Sequence, residues 1–219
     1  MDSIEPLSAE FFCVLCRSPF ASAASLDETG RCPLCVEGSR GFDAAYSYGS
    51  YEGPLRDLVH LFKYRRVRSL QKPLGRMLSL ALPREEQVDL VIPVPMHWWR
   101  KWNRGFNQAE LLARVVARRT GIPVARALKR GRSTLAQAGL TLAQRRENLT
   151  GVFRVSASNR IEGRRVLLVD DVFTTGATAS ACAAALKRAG ARSVVLLTLA
   201  RVDRRWAEAP ISPKTSGDS

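Results

Sequence analysis

Two adjacent carboxylates beside a hydroxyl-rich turn are the residues of this chain best suited to chemistry. Asp170 and Asp171 follow the apolar run 166–169, whose β-branched residues predict a buried strand. The turn 174–178 comes next and opens an Ala-rich helix that is predicted to extend to about residue 189. Such a turn presents free backbone N–H groups and a positive dipole end to a phosphate. The carboxylates would accept hydrogen bonds from sugar hydroxyls or hold a hydrated Mg²⁺.

Other phosphate-binding motifs do not fit this segment. No Gly-Lys-Ser/Thr follows the turn, so it is not a Walker A loop, and the Gly-x-Gly-x-x-Gly of dinucleotide folds is missing from it. A structural alternative is a buried strand that ends in two solvated aspartates, with Thr174 and Thr175 acting as helix N-caps. Ligands bind beyond the carboxyl ends of the strands in an open parallel sheet. Adjacent carboxylates at that position therefore favour a ligand site.

Four of the five cysteines form two Cys-x-x-Cys pairs with fifteen residues between them. The pairs are Cys13 with Cys16 and Cys32 with Cys35, and this is the spacing of a four-thiolate zinc site. Four thiolates close the tetrahedron, so we expect a structural Zn²⁺ rather than a catalytic one. Two disulfides are the alternative, and a cytoplasmic address argues against them.

Composition narrows the class of protein. The chain has 219 residues, of which 46% are hydrophobic, and a net charge of +14. No apolar run approaches the roughly 18 residues of a membrane span, so we expect no membrane insertion. The first residues lack the basic and apolar parts of a signal peptide, and we expect a cytoplasmic protein.

The positive charge is concentrated in residues 63–76 and 97–132, which indicates a polyphosphate ligand, a nucleic acid or both. Solvated helix faces are the alternative for part of that charge.

Strand and helix patterns alternate after residue 43, which predicts an α/β fold with a parallel sheet and helices on both faces. Residues 89–95 are predicted to form the first strand of that sheet, and residues 152–155 and 193–201 to complete it. Residues 130–150 lack an apolar period and predict a long basic loop, a kind of segment that is usually functional.

Three parts of the chain follow from these patterns. We expect a zinc ribbon and linker in residues 1–43, the α/β domain in residues 44–202 and a disordered tail in residues 203–219.

Several blocks of the sequence together resemble the ComF family. Residues 166–178 resemble the 5-phosphoribosyl 1-diphosphate (PRPP) motif of type I phosphoribosyltransferases, and the paired cysteines resemble the zinc-ribbon head of the ComF family. The other matching blocks are residues 51–58, 61–64, 93–95, 104–108, 111–113 and 137–140 with Arg145, Asn148, Gly151 and Phe153. The resemblance covers about residues 13–201. It implies a type I phosphoribosyltransferase-like fold and a link to DNA uptake in naturally competent bacteria.

The resemblance also implies roles for individual residues. The turn would bind the 5-phosphate of PRPP through Thr174, Thr175, Gly176, Ala177 and Thr178. Asp170 and Asp171 would take the ribose hydroxyls, directly or through water on a Mg²⁺ that arrives with PRPP. Lys101 and Arg104 would neutralise the pyrophosphate as the C1–O bond breaks. Arg145 of the basic loop would close over the site. The expected catalytic residues are therefore Asp170, Asp171 and Arg104.

Two classes of function are open at this point. One is an enzyme that transfers phosphoribose from PRPP to an unknown acceptor, and the other is a non-catalytic accessory protein of competence that binds single-stranded DNA. A PRPP-sensing regulator lies between them. Trp98, Trp99 and Trp102 alternate with Arg100 and Lys101, which suits stacking on single-stranded bases, although a hydrophobic wedge or dimer contact is the alternative. The resemblance also suggests a DNA-uptake helicase or another competence protein as a partner.

Overall fold

A computed structural model describes six stretches of the chain: residues 4–37, 41–96, 102, 105–131, 151–156 and 160–202. The first stretch holds a small ribbon. Its strands β1 (Phe11–Phe12) and β2 (Pro19–Phe20) pair antiparallel, and the short helix α1 (Pro33–Val36) follows them. Cys13 and Cys16 lie between the two strands, while Cys32 and Cys35 lie at the start of α1 and within it.

A four-stranded parallel sheet forms the centre of the second part. The strands that follow the ribbon are β3 (Ala44–Ser50), β4 (Leu90–Pro93), β5 (Leu128–Arg130), β6 (Phe153–Val155), β7 (Arg165–Phe173) and β8 (Ser193–Arg201). The order across the sheet is β3-β8-β7-β4, and every pair in it is parallel. The carboxyl ends of β7 and β8 therefore meet at one edge of the sheet.

Residue alternation along β7 explains why both faces of the sheet are covered. Val166 and Leu168 pack into one apolar cluster, while Leu167 and Val169 pack into the other. Successive side chains of a strand point to opposite faces, so a strand that is apolar at every position must be buried on both. The predicted α/β fold with helices on both faces is confirmed.

The helices divide between those two faces. They are α2 (Gly53–Tyr64), α3 (Gln71–Leu80), α4 (Gln108–Thr120) and α5 (Ala177–Arg188). One apolar cluster contains the buried apolar side chains of α2 and α3 together with Leu112, Ala113 and Val116 of α4. The other contains those of α5 together with the four paired cysteines of the ribbon. The ribbon therefore packs on the α5 face of the sheet. Among the described residues, no helix is long and apolar enough to cross a membrane.

Two strand predictions were wrong. Residues 152–155 do not complete the parallel sheet, because β6 pairs antiparallel with β5 in a separate two-stranded sheet. The outer side of β4 is instead bridged by Val124, whose neighbours exchange backbone hydrogen bonds with Val91. The first strand of the sheet is β3 rather than residues 89–95. β5 and β6 flank the segment predicted as a basic loop, of which residues 132–150 lie outside the described part. The expected tail, residues 203–219, lies outside it as well.

Candidate functional site

The two carboxylates lie in the carboxyl-terminal half of β7, which continues past them to Phe173 rather than ending before them. Asp171 accepts an ion-pair contact from the Nζ of Lys63, at 2.9 Å, and both side chains are about 85% buried, with 13% and 15% exposed. Lys63 is in the last turn of α2. The backbone N–H of Asp171 donates to Oδ1 of Asp170 at 2.9 Å, which orients the Asp170 carboxylate. Asp170 is also paired in register with Thr198 of β8.

This environment shifts the pKa values of Asp170 and Lys63. Burial, and then the charge of Asp171, raise the pKa of Asp170 to about 7, although Lys63 opposes the shift. Burial alone would lower the pKa of Lys63, but Asp171 and more weakly Asp170 raise it, and the net shift is upward. Lys63 therefore stays charged at neutral pH, whereas the raised pKa of Asp170 favours its protonated form more than in water.

The turn after β7 leads directly into α5. Gly176 is the N-cap residue and has a φ of 77°, a left-handed conformation that favours glycine. Oγ1 of Thr175 accepts a hydrogen bond from the N–H of Ala177 at 3.4 Å. The first turn of α5 contains no acidic residue, so no carboxylate of its own competes for the positive end of the helix. The N-cap position, which the structural alternative gave to Thr174 and Thr175, is thus occupied by Gly176.

A small cavity of about 70 Å³ lies beside this turn. Its lining includes the complete turn together with Asp170 and Thr198, which are register partners on β7 and β8. The helix N-terminus, several hydroxyl groups and a carboxylate therefore surround one small space. Its size and its donors suit a phosphate group.

A larger cleft of about 230 Å³ shares two lining residues, Asp170 and Thr178, with that cavity. Lys63, Asn107 and Arg130 also line the cleft. The Oδ1 of Asn107 accepts from the N–H of Ala109 at 3.1 Å, and its Nδ2 donates to the carbonyl of Val94 at 3.0 Å. Asn107 thus caps α4 and fastens it to the end of β4. The cleft combines two carboxylates with two cationic side chains.

The predicted site residues are brought together only in part. Asp170, Asp171 and the five turn residues line the cavity and cleft. The other three, Lys101, Arg104 and Arg145, lie outside the described residues. Met96 and Asn107 line the cleft on either side of the segment that contains Lys101 and Arg104.

Sequence reasoning assigned no role to Lys63 and Arg130, although both line the cleft. Lys63 directly follows Phe62, and the buried residues of α2 are Leu55, Val59 and Phe62. A lysine next to the buried stripe of an amphipathic helix was the available signal. Arg130 is the last residue of β5, and its guanidinium lies 5.5 Å from the ring centre of Phe153. A strand of three residues is too short for its sequence pattern to predict that Arg130 would line the cleft.

The four paired cysteines form a compact cluster whose Sγ atoms all lie within 4.8 Å of one another. Sγ of Cys16 is 3.7 Å from Sγ of Cys32. Tetrahedral ligands at a Zn–S distance of about 2.3 Å are about 3.8 Å apart, so the spacing fits zinc. A disulfide requires about 2.05 Å, and all five cysteines are free thiols. Hydrogen bonds from the neighbouring thiols, that of Cys13 first, lower the pKa of Cys16 and favour its thiolate.

Comparison with known proteins agrees with this architecture. Residues 103–216 match the phosphoribosyl transferase domain family. Competence protein F of Haemophilus influenzae is 36% identical over 178 residues, which cover 78% of this chain and 78% of that protein. DNA utilization protein YhgH of Escherichia coli K12 is 30% identical over 230 residues, which cover 89% of this chain and 99% of that protein.

Among solved structures, glutamine phosphoribosylpyrophosphate amidotransferase from B. subtilis, determined with ADP and GMP, is 27% identical. The likeness covers 59% of this chain and 26% of that one with a TM-score of 0.43, and at that score it adds no support. The domain match, the relatives and the clustered cysteines together assign the family. The chain belongs to the ComF family, whose members join a zinc-ribbon head to a type I phosphoribosyltransferase domain.

Proposed function

We propose that this protein binds PRPP together with Mg²⁺ and transfers its phosphoribosyl group to an acceptor. The observation that carries the proposal is that the small cavity and the larger cleft share Asp170 and Thr178 in their linings. PRPP has a phosphate at one end, a ribose in the middle and a pyrophosphate at the other end. The small cavity, the carboxylates and the cationic side chains of the cleft offer one matching surface to each of these parts.

The 5-phosphate would occupy the small cavity. Backbone N–H groups in the first turn of a helix have no partner within the helix, and they carry the positive end of its dipole. The turn residues Thr174, Thr175 and Thr178 add hydroxyl donors to those of the backbone. Gly176 allows the chain to turn sharply at this point. This arrangement supports binding of a dianionic phosphate without a basic side chain in the turn.

The ribose would lie over Asp170 and Asp171. Ionised carboxylates accept hydrogen bonds from vicinal hydroxyls and are also the oxygen ligands that Mg²⁺ prefers. Both carboxylates line the cleft, so the residues present fit a Mg²⁺ that arrives with PRPP. When bound, the ion would supply positive charge beside the leaving pyrophosphate.

The pyrophosphate would occupy the cationic cleft. During transfer the C1–O bond breaks, the electron pair leaves with pyrophosphate, and a nucleophilic atom of the acceptor bonds to C1. Positive charge fixed beside the departing oxygens lowers the barrier to this step. Lys101 and Arg104 are proposed for that role, because Met96 and Asn107, on either side of their segment, both line the cleft. Arg145 is proposed to close over the site and exclude water.

Calorimetric titration of the zinc-loaded protein with PRPP and Mg²⁺ tests the proposal. The double variant Asp170→Asn with Asp171→Asn should lose binding, because amides neither hold Mg²⁺ nor offer charged acceptors to the ribose. Asp57→Asn is the matched control, because the Asp57 side chain is 70% exposed on α2 and its partner Arg56 is also exposed, at 55%. No heat with the folded wild type would reject PRPP binding. Equal heat from the wild type and the double variant would reject this site for it.

A second candidate function is binding of single-stranded DNA without catalysis. Trp102 is 82% exposed and lies in the basic segment 97–132. An exposed indole among cations suits stacking on unpaired bases. The relatives are named for competence and for DNA utilization, which is consistent with such a role. We propose a DNA-uptake helicase or another competence protein as a partner for either function.

Fluorescence titration with a labelled oligonucleotide distinguishes this candidate. Trp102→Ala should weaken binding about tenfold or more, because stacking on an aromatic side chain contributes about 1–3 kcal/mol per base. Leu80→Ala is the control, because Leu80 is similarly exposed, at 71%, but is not aromatic. Affinity should also fall steeply with added salt. An affinity that does not change with salt would reject DNA binding through the basic surface.

A further inference from the structure

In the ion pair between Lys63 and Asp171 both side chains are mostly buried, unlike in the other ion pairs between described residues. Both side chains are at most 15% exposed, and the Nζ–Oδ1 distance is 2.9 Å. Each other ion pair among the described residues includes at least one side chain that is 30% exposed or more. Surface ion pairs contribute little and need no special explanation, but a buried one carries a desolvation cost for both charges.

Stabilisation of the fold does not account for this cost. Removal of two charges from water often costs more than their attraction returns, and apolar residues of similar volume are frequently as stable. The apolar packing of α2 is provided by Leu55, Val59 and Phe62, and Phe62 also contacts Phe106 with ring centres 5.6 Å apart. Lys63 instead faces the cleft and lines it together with both carboxylates. The charge is therefore placed where a ligand would meet it.

We propose that the ammonium of Lys63 holds the cation position at Asp171 while no substrate is bound, and moves to the pyrophosphate when PRPP and its metal take that position. This inference rests on the proposed function. An ammonium at 2.9 Å from a carboxylate opposes the binding of a second cation to that carboxylate. A metal ion alone would then bind weakly, whereas a metal ion that arrives with PRPP brings a new anionic partner for Lys63.

The geometry allows this exchange without movement of the backbone. The packing of Phe62 against Phe106 anchors the last turn of α2. Lysine carries its charge on a flexible four-carbon stem, so its ammonium can move several ångströms while its Cα stays in place. Asp170, Asp171, Asn107 and Arg130 line the same cleft, so the ammonium would remain inside the site after it leaves Asp171.

The test uses Mn²⁺ as the probe ion and the full-length, zinc-loaded protein. Binding of Mn²⁺ without PRPP is followed by the electron paramagnetic resonance signal of the free ion, and binding of PRPP with Mg²⁺ is followed by calorimetry. In Lys63→Met, Mn²⁺ alone should bind about tenfold more tightly, because the competing charge is gone. PRPP with Mg²⁺ should bind about tenfold more weakly, because a charge-assisted contact to pyrophosphate is lost. A purely structural role of Lys63 would not move the two affinities in opposite directions.

Two further variants make the outcome decisive. Lys63→Arg keeps the charge and should leave Mn²⁺ affinity low. Lys187→Met removes a lysine that pairs with Asp43 at 2.8 Å at the far end of α5, and it should change neither affinity. Unchanged or weaker Mn²⁺ binding in Lys63→Met overturns the inference. If the wild type itself fails to bind PRPP, the proposed function fails. In that case tighter Mn²⁺ binding in Lys63→Met would support only the contact with Asp171 and overturn the transfer to pyrophosphate.

Discussion

The guanidinium of Arg201 donates a hydrogen bond to the backbone carbonyl of Cys16 at 2.6 Å. Arg201 is the last residue of β8 and is 1% exposed, and it also donates to Oγ of Ser18. Its guanidinium lies 4.9 Å from the ring centre of Phe173, the residue that precedes the proposed phosphate turn, residues 174–178. One buried side chain thus connects a zinc knuckle to the edge of the sheet where the candidate site lies.

Replacement of Arg201 by Met should loosen this connection. The variant would leave the Cys16 carbonyl and the Ser18 hydroxyl buried without their donor, which is expected to cost about 2–4 kcal/mol in the free energy of unfolding. Urea unfolding measures the loss, and transfer of zinc to a colorimetric chelator should be faster than in the wild type. Arg192→Met is the control, because the Arg192 side chain is exposed. Wild-type stability and zinc transfer in Arg201→Met would show that the ribbon holds its place without this contact.

Affinity for PRPP with Mg²⁺ should depend on pH through Asp170. Its pKa is raised to about 7, so the carboxylate must lose a proton before it can act as an acceptor or a metal ligand. Binding should therefore strengthen as pH rises, and should be roughly tenfold weaker at pH 6 than at pH 8. The sign for folding is opposite, because a raised carboxylate pKa means that stability falls as pH rises from about 4 to about 7.

The groups around Asp170 define the control for this prediction. Asp171 and Lys63 face it, and its charge contributes to the raised pKa of the buried thiol of Cys182. The phosphates of PRPP also titrate near pH 6, so the pH profile of the wild type must be compared with that of Asp170→Asn. The part of the pH dependence that comes from Asp170 should disappear in this variant. An identical slope in both proteins would assign the pH dependence to PRPP.

The left-handed conformation of Gly176 gives a prediction that distinguishes a loss of stability from a loss of PRPP affinity. Gly176 and Gly163 have φ angles of 77° and 68°, so an alanine at either position should cost about 1–2 kcal/mol of backbone strain. Only Gly176 is part of the proposed phosphate turn, whereas Gly163 is exposed and a Cβ built there would meet nothing within 4 Å. Both variants should unfold at lower denaturant concentration, but only Gly176→Ala should also bind PRPP more weakly. Equal affinities in calorimetry would argue against phosphate binding at the turn.

The parts of the site that the sequence predicted are those that are continuous in the chain. Asp170 and Asp171 lie in one strand and the turn follows it, so a single motif contains both the residues and the element that positions them. Lys63 meets Asp171 only through packing of α2 beside the sheet, and no local pattern contains that contact. For the same reason residues 152–155 were predicted as a strand but assigned the wrong partner. A strand pattern reports the alternation of side chains and not the neighbour that supplies the hydrogen bonds.

Close packing of α3 on α4 should make the position of the cleft sensitive to a single methyl group. A Cβ added to Gly75 of α3 would lie 2.5 Å from Cβ of Val115 of α4, well inside van der Waals contact. Gly75→Ala should therefore lower the free energy of unfolding by about 1–3 kcal/mol through overpacking, despite a gain of roughly 1 kcal/mol in helix propensity.

A double-mutant cycle isolates this clash. Val115→Ala alone should destabilise the protein by leaving a cavity, while Gly75→Ala combined with Val115→Ala should be more stable than the sum of the single changes predicts. Urea unfolding of the four proteins measures the coupling. Since Asn107 caps α4 and lines the cleft, the single Gly75→Ala variant should also bind PRPP less tightly, and the double variant should recover part of that affinity. Additive free energies would mean that the two helices separate freely at this contact, and the cleft would then not depend on their spacing.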